Sequence, residues 1–325
     1  MLAVAGLALL AACGVEEQPA DENGLTPIKF ATDWRAQAEQ GGFYQALATG
    51  EYEKRGLAVT IIQGGPSVNV PQLLAAGSVD LGMGSNSFGA LNLAAQEVPV
   101  KAVAAFMQKD PQVLIAHPDQ GIESIADMEG HPILLSDASI TEFWVWLKEE
   151  YGFTDDQVRK YTFNPAPFLA DPRAVQQGYL TSEPYTIEQQ SGIKPEVFLL
   201  ADSGYPGYAA MVLAPDSMIA DDPDTVRAFV EASAAGWESF LFGDPAPGNA
   251  LIMADNPEMT ADLIQYAREM MREMQIVKTE DTPIGQMTDE RWATFYSIAS
   301  SQDVYPQGMD FRKAYTLEFL GSAAQ

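Results

Sequence analysis

Apolar and polar positions fall into short runs that switch between a two-residue and a 3.6-residue period. In the first third, strands are expected at Pro27–Thr32, Leu57–Gln63 and Val79–Met83, with two further apolar runs at Val100–Met107 and Gln112–His117. Helical patterns lie between them. Gly42–Arg55 is closed by Gly56, with Lys54 and Arg55 in the last turn, where the helix dipole favours cations. Asn69–Ala76 carries Pro71 in its first turn, and Ser87–Gln96 completes the set. The grammar then restarts: a strand at His131–Ser136, a helix at Thr141–Tyr151 ended by Gly152, and a strand at Lys160–Phe163. A helix at Asp171–Gln177, a strand at Gly178–Thr181, a helix at Glu183–Gln190 and a strand at Val197–Leu200 follow. Beyond Asp222–Pro223, a cap followed by proline at the first helical position, the pattern is helical. Val226, Phe229, Val230, Trp237, Phe240 and Leu241 share one face there, and helices are expected at Met259–Gln275 and Asp289–Ser300.

Strands alternating with helices at this spacing predict an α/β protein with mostly parallel sheets. The restart after residue 130, and the apolar run Tyr208–Leu213 that reads as a return, divide it into two lobes joined by two crossings near Ile115 and Met211. Lobe 1 is expected to hold 26–114 and 210–325, with the helical tail packed on it, and lobe 2 to hold 115–209.

The N-terminal end changes the picture of where such a chain acts. Met1–Ala12 is an uncharged apolar run too short to span a bilayer and reads as a signal peptide, although no Lys or Arg precedes it. Residues 13–25 read as a tether, acidic and without apolar periodicity. Cys13 is the only cysteine, which excludes intrachain disulfides and cysteine-based zinc or iron–sulfur sites. Lys and Arg number 18 against 45 Asp and Glu, a formal charge of −27, which argues against nucleic-acid binding and against a polybasic membrane patch. Charged residues make up 19% and apolar ones 47%, a globular composition.

Two stretches carry a family resemblance. Phe30–Phe88, with "GGFYQALATGEYEKRGL" and "LLAAGSVDLG", and Val175–Pro184, with Gly178, Tyr179, Glu183 and Pro184, resemble the solute-binding proteins of the thiamine-pyrimidine, alkanesulfonate and nitrate superfamily. Leu10-Ala11-Ala12-Cys13 resembles a bacterial lipobox, which implies acylation of Cys13 and anchoring to a membrane. The resemblance implies the type II periplasmic-binding-protein fold: two lobes, a ligand cleft and two crossover strands. It also implies a protein, without a cofactor, metal or catalytic residue and expected as a monomer, that delivers a small molecule to the permease of an ABC importer. Fungal members of the superfamily are enzymes, thiamine-pyrimidine synthases with histidine chemistry and a cysteine-rich motif. Here the only histidines, His117 and His131, each precede a proline at a strand boundary.

In open α/β sheets, ligands sit beyond the carboxyl ends of strands. That rule points to Asp33 and Trp34 after the first strand, Asn86 and Ser87 after the third, and Phe106 at the end of the next. In lobe 2 it points to Ser139 and Thr141, then to Tyr179 and Glu183. Tyr44 and Trp144 are added as aromatics on flanking helices, Trp144 being preferred to Trp146 because the two face different ways. Acidic groups outnumber Arg35 and Lys109 in these loops. Anions want cations or backbone N–H donors, so the loops favour a neutral or cationic, hydrogen-donating nitrogen heterocycle such as a thiamine-type pyrimidine, with flavins and nucleobases close behind. Nitrate, an alkanesulfonate or an aromatic carboxylate is the alternative.

Overall fold

The computed structural model describes residues 24–65 and 68–321. The proposed signal peptide, Cys13 and most of the tether lie outside them. Two five-stranded sheets form the frame. The first contains β1 (Thr26–Ala31), β2 (Leu57–Ile62), β3 (Leu81–Asn86) and β4 (Val100–Met107). The second is built from β5 (Gln112–Ala116), β6 (Ile133–Leu135), β7 (Val158–Lys160), β8 (Val175–Tyr179) and β9 (Glu196–Leu199). The chain then returns as β10 (Ala209–Pro215). Strand orders are β2-β1-β3-β10-β4 and β7-β6-β8-β5-β9.

Within each sheet four strands run in one direction and one is reversed: β10 lies antiparallel between β3 and β4, and β5 antiparallel between β8 and β9. Helices cover both faces, so the inner strands read as near-continuous apolar runs: every residue of β5 is buried, as is every residue of β4 except Lys101. Because β5 belongs wholly to the second sheet, the first crossing runs through Gln108–Pro111, a few residues before the expected division at 114/115. The second crossing leads into β10 through residues 204–208.

Several elements differ from expectation. The strand expected at Lys160–Phe163 lies at Val158–Lys160, no helix forms over 171–177, and helices Ala166–Ala170 and Ala246–Asp255 stand outside the expected set. The first helix stops at Ala48, and Glu53–Arg55 forms a separate 3₁₀ turn closed by Gly56 in the left-handed region. Residues 175–177, expected to end a helix, open β8 instead. The segment Val175-Gln-Gln-Gly-Tyr has little local preference, and its pairing with β5 on one side and β6 on the other decides its state.

Helix Gly41–Ala48 packs tightly on the long helix Pro223–Phe242, whose N-cap Asp222 accepts from the amide of Thr225. A Cβ on Gly42 would lie 2.1 Å from Cγ of buried Trp237, and one on Gly236 would lie 2.2 Å from the carbonyl oxygen of Gly42. Only glycine permits that approach. The tail helix Asp289–Ser301 does more than pack on lobe 1. Its Phe295 ring meets Phe88 at 4.7 Å and Tyr205 at 6.0 Å, and its Arg291 donates to the carbonyls of Pro206 and Gly207, at 2.7 Å each, on the second crossing. Among the described residues, no helix is long and apolar enough to cross a membrane.

Candidate ligand-binding site

The carboxyl ends of β1 and β3 face those of β6 and β8, and the loops that leave them meet across the cleft. Trp34 follows β1 and reaches Phe163 of the second lobe, ring centroids 5.6 Å apart. Asn86, the last residue of β3, caps the next helix through its side-chain oxygen, which accepts from the amide of Gly89 at 3.3 Å. Its amide nitrogen is thereby turned across the cleft and donates to Glu142 Oε2 at 2.9 Å. A second cross-lobe hydrogen bond runs from the Thr181 hydroxyl to Glu39, a buried carboxylate on the 3₁₀ turn Ala38–Gln40. Burial pushes both carboxyls up, Glu39 to about 7 and Glu142 to about 7, because the charged form loses its water.

Glu183 opens helix Glu183–Ser191 and folds back over β8. One of its carboxylate oxygens accepts from the amide of Tyr179 at 2.8 Å and from the Ser182 hydroxyl. Gly178 makes this possible, since a Cβ there would lie 2.8 Å from Glu183 Cβ. Burial raises the Glu183 carboxyl above the usual carboxylate range, and Asp33 is raised for the same reason. The half-buried Tyr179 phenol stands among these acids. Its proton is held well above the ordinary value, first by burial and then by the charges of Asp110, Asp33, Glu142 and Glu39. Tyr161, whose hydroxyl accepts from Gln176 Nε2 at 3.4 Å, and Phe163 add aromatic surface, 5.4 Å apart.

Cations at the rim are engaged elsewhere. Arg35 pairs with Glu258 at 3.0 Å, Lys109 with Asp202 at 2.6 Å and Lys160 with Asp137 at 3.0 Å. The cleft is thus acidic, rich in acceptors and lined by rings. It suits a donor of hydrogen bonds, neutral or positively charged. Two open surface depressions, of about 510 and 380 Å³, lie away from this chemistry, the first around His131, Arg159 and Arg173 and the second around Leu180, Phe198 and Met274.

Of the residues singled out from sequence, the structure brings Asp33, Trp34, Asn86, Tyr179 and Glu183 together at the cleft. Ser139 sits nearby but is buried, its hydroxyl 2.9 Å from that of Ser136, and the exposed Thr141 donates to the carbonyl of Ala138. Ser87 is committed to the second crossing, its hydroxyl accepting from the amide of Tyr208 at 2.9 Å. Three aromatics belong to cores instead of the cleft. Phe106 is fully buried between Phe43 and Trp237. Tyr44 is buried and donates to Asp255 at 2.9 Å. Trp144 packs on Phe153 and donates to Asp155 at 2.9 Å, while Trp146 rests on Tyr205. Sequence reasoning passed over Asp110, Gln112, Glu142, Tyr161 and Phe163 as site residues. Asp110-Pro111 just past a strand end was the one available signal.

Both histidines are held by main chain: His117 Nε2 lies 2.8 Å from the carbonyl of Phe168 and His131 Nδ1 2.8 Å from that of Arg173. Among the described residues no three of His, Cys, Asp and Glu gather as a metal-holding group.

Two lobes, two central antiparallel strands that begin after crossings, and a cleft between strand ends define the class: an α/β protein of the periplasmic-binding-protein fold. The family described as "NMT1/THI5 like" matches residues 37–246, and the chain belongs to it, within the wider superfamily of thiamine-pyrimidine, alkanesulfonate and nitrate binders. The chain is 23% identical over 306 residues to the riboflavin-binding protein RibY of Chloroflexus aurantiacus, covering 91% of this chain and 86% of that one. The periplasmic aliphatic sulphonate-binding protein SsuA of Escherichia coli superposes with a TM-score of 0.69 at 14% identity, covering 89% of this chain and 92% of that one. The desulfurization enzyme DSZB shares the fold at a TM-score of 0.59 and 12% identity, over 91% of this chain and 98% of the enzyme. The same frame therefore serves binding proteins and an enzyme, and the cleft has to decide between them.

Proposed function

We propose that this protein is the solute-binding component of an ABC importer, exported, attached to the membrane through a lipid on Cys13, and specific for a small nitrogen heterocycle that donates hydrogen bonds. The acidic, aromatic cleft carries the reading: Asp33, Glu39, Glu142 and Glu183 converge there with Trp34, Tyr179 and Phe163, while the nearby cations are paired at the surface. An anionic solute would sit among carboxyls whose ionised form repels it, while the nearby cations are paired elsewhere. An aminopyrimidine of the thiamine-precursor type fits, and a flavin belongs to the same chemical class, the ligand named for the Chloroflexus relative. A binder is favoured over a synthase because both histidines are tied to backbone carbonyls in lobe 2.

In this reading the ligand enters the open cleft, is gripped first by one lobe, and the second closes over it; the closed form is what a permease recognises. Ligand shifts that equilibrium only by its preference for the closed state. The test is calorimetry of the purified protein against 4-amino-2-methylpyrimidine, riboflavin, ethanesulfonate and nitrate. Binding of either heterocycle with no heat from the anions is expected. Binding of ethanesulfonate or nitrate alone overturns the ligand assignment, and turnover of any bound compound overturns the binder reading.

A further inference from the structure

The first crossing and the start of the strand it leads into carry two buried acceptors without partners. Asp110, 1% exposed, accepts from the amide of Gln112 at 3.1 Å through Oδ1, but its Oδ2 is enclosed and receives no hydrogen bond. Gln112, 8% exposed, likewise leaves its side-chain oxygen unpartnered. These two atoms are not scattered core defects. Gln112 opens β5 directly opposite Tyr179 on β8, so their side chains share one face of the sheet, and Asp110 feels the charge of Glu142 and in turn acts on the Tyr179 phenol. Arg291 is the cation nearest in influence, yet its guanidinium is spent on the carbonyls of Pro206 and Gly207 and on the face of Tyr208, 4.0 Å from the ring centre. Buried polar atoms in folded proteins almost always have partners, and those that do not call for a functional explanation.

We propose that Asp110 and Gln112, with Glu142 and Tyr179 beside them, form a hinge-end subsite that receives an N–H-bearing edge of the ligand, an amino, amidine or imide group. The subsite lies on the crossing itself, so a ligand filling it touches the segment about which the lobes move. Burial raises the Asp110 carboxyl to about 8, so near neutrality its unpartnered Oδ2 can carry and donate a proton while the unpartnered side-chain oxygen of Gln112 accepts. That donor–acceptor pair matches the edge of an aminopyrimidine or of a flavin imide.

The inference rests on the heterocycle reading for its ligand class, and its test separates the two. Calorimetry with 4-amino-2-methylpyrimidine and riboflavin is run on the unaltered protein, Asp110→Ala and Gln112→Leu. A probe that binds the unaltered protein is expected to lose at least tenfold in affinity in Asp110→Ala and several-fold in Gln112→Leu; unchanged affinity in both overturns the subsite. If neither probe binds the unaltered protein, the heterocycle reading fails, and the melting temperature of ligand-free Asp110→Asn decides the subsite. A ligand-seeking, unpartnered carboxyl predicts that this variant melts higher, whereas a structural carboxyl predicts no rise or a fall, which overturns the proposal.

Discussion

Glu183, a ligand contact in the proposed reading, is held through one of its two oxygens. One oxygen is occupied by the Tyr179 amide and the Ser182 hydroxyl, which fixes the rotamer and leaves the other for an incoming donor. Glu183→Gln keeps an acceptor but loses the charge, and is expected to weaken a bound aminopyrimidine at least tenfold, about 1.4 kcal/mol, with the ligand-free melting temperature nearly unchanged. Equal affinity in calorimetry removes Glu183 from the site. Residues of this kind were readable in the sequence because they sit at strand ends beside turn and cap signals, as Trp34 and Asn86 also do. Glu142 and Phe163 were not, since their importance comes from the opposite lobe, and Asp110 offered only its place just past a strand end. Glu142 earns its place only through Asn86, 56 positions away, and Phe163 only through Trp34. Tyr44 and Trp144 erred the other way: an amphipathic ring with a polar tip looks the same whether the tip meets a ligand or, as here, Asp255 and Asp155.

Among elements, the pair of helices Gly41–Ala48 and Pro223–Phe242 sets how lobe 1 closes on itself. Gly236→Ala would press its methyl against the carbonyl oxygen of Gly42, backbone that has nowhere to move without shifting the whole helix. The expected cost is about 1–3 kcal/mol, read as a lower denaturation midpoint at unchanged slope; a midpoint equal to the parent would mean that the helices separate freely. The long tail helices were legible because each has a strong cap and a sustained apolar stripe. Strand β8 was misread as part helix because its five residues hold two glutamines and a glycine, and two neighbouring strands, not local preference, make it extended.

For the whole molecule, the two cross-lobe hydrogen bonds place one acid on each side of the cleft, Glu39 buried and Glu142 half-buried. In an opened form Glu39 and Glu142 face water and titrate near the ordinary value of 4.5, while in the closed form burial holds each at about 7. The closed state therefore binds more protons across that interval. Its advantage is fully present below the lower value and is lost as pH rises through the upper one. The acids facing these two groups (Asp33 and Glu183 toward Glu39; Asp110 toward Glu142) add negative charge when ionised, and the phenols of Tyr179, Tyr205 and Tyr305 stay neutral in this range, so the sign is not reversed. Small-angle scattering of the ligand-free protein should give a smaller radius of gyration at about pH 5 than at about pH 8, with the difference reduced in a Glu39→Gln, Glu142→Gln double variant. A radius independent of pH would show that closure does not bury these acids.

The position of β10 reaches beyond binding. It fills the space between β3 and β4, so the sheet of lobe 1 stays split, with two raw edges, until residues more than a hundred positions downstream have been made. Lobe 2 has no such debt, since all its strands come from the contiguous stretch 112–199. Amides of β5 and β8 should accordingly gain protection from hydrogen exchange during refolding before those of β3 and β4. The first half of the chain therefore carries an incomplete sheet for as long as β10 is still to be synthesised.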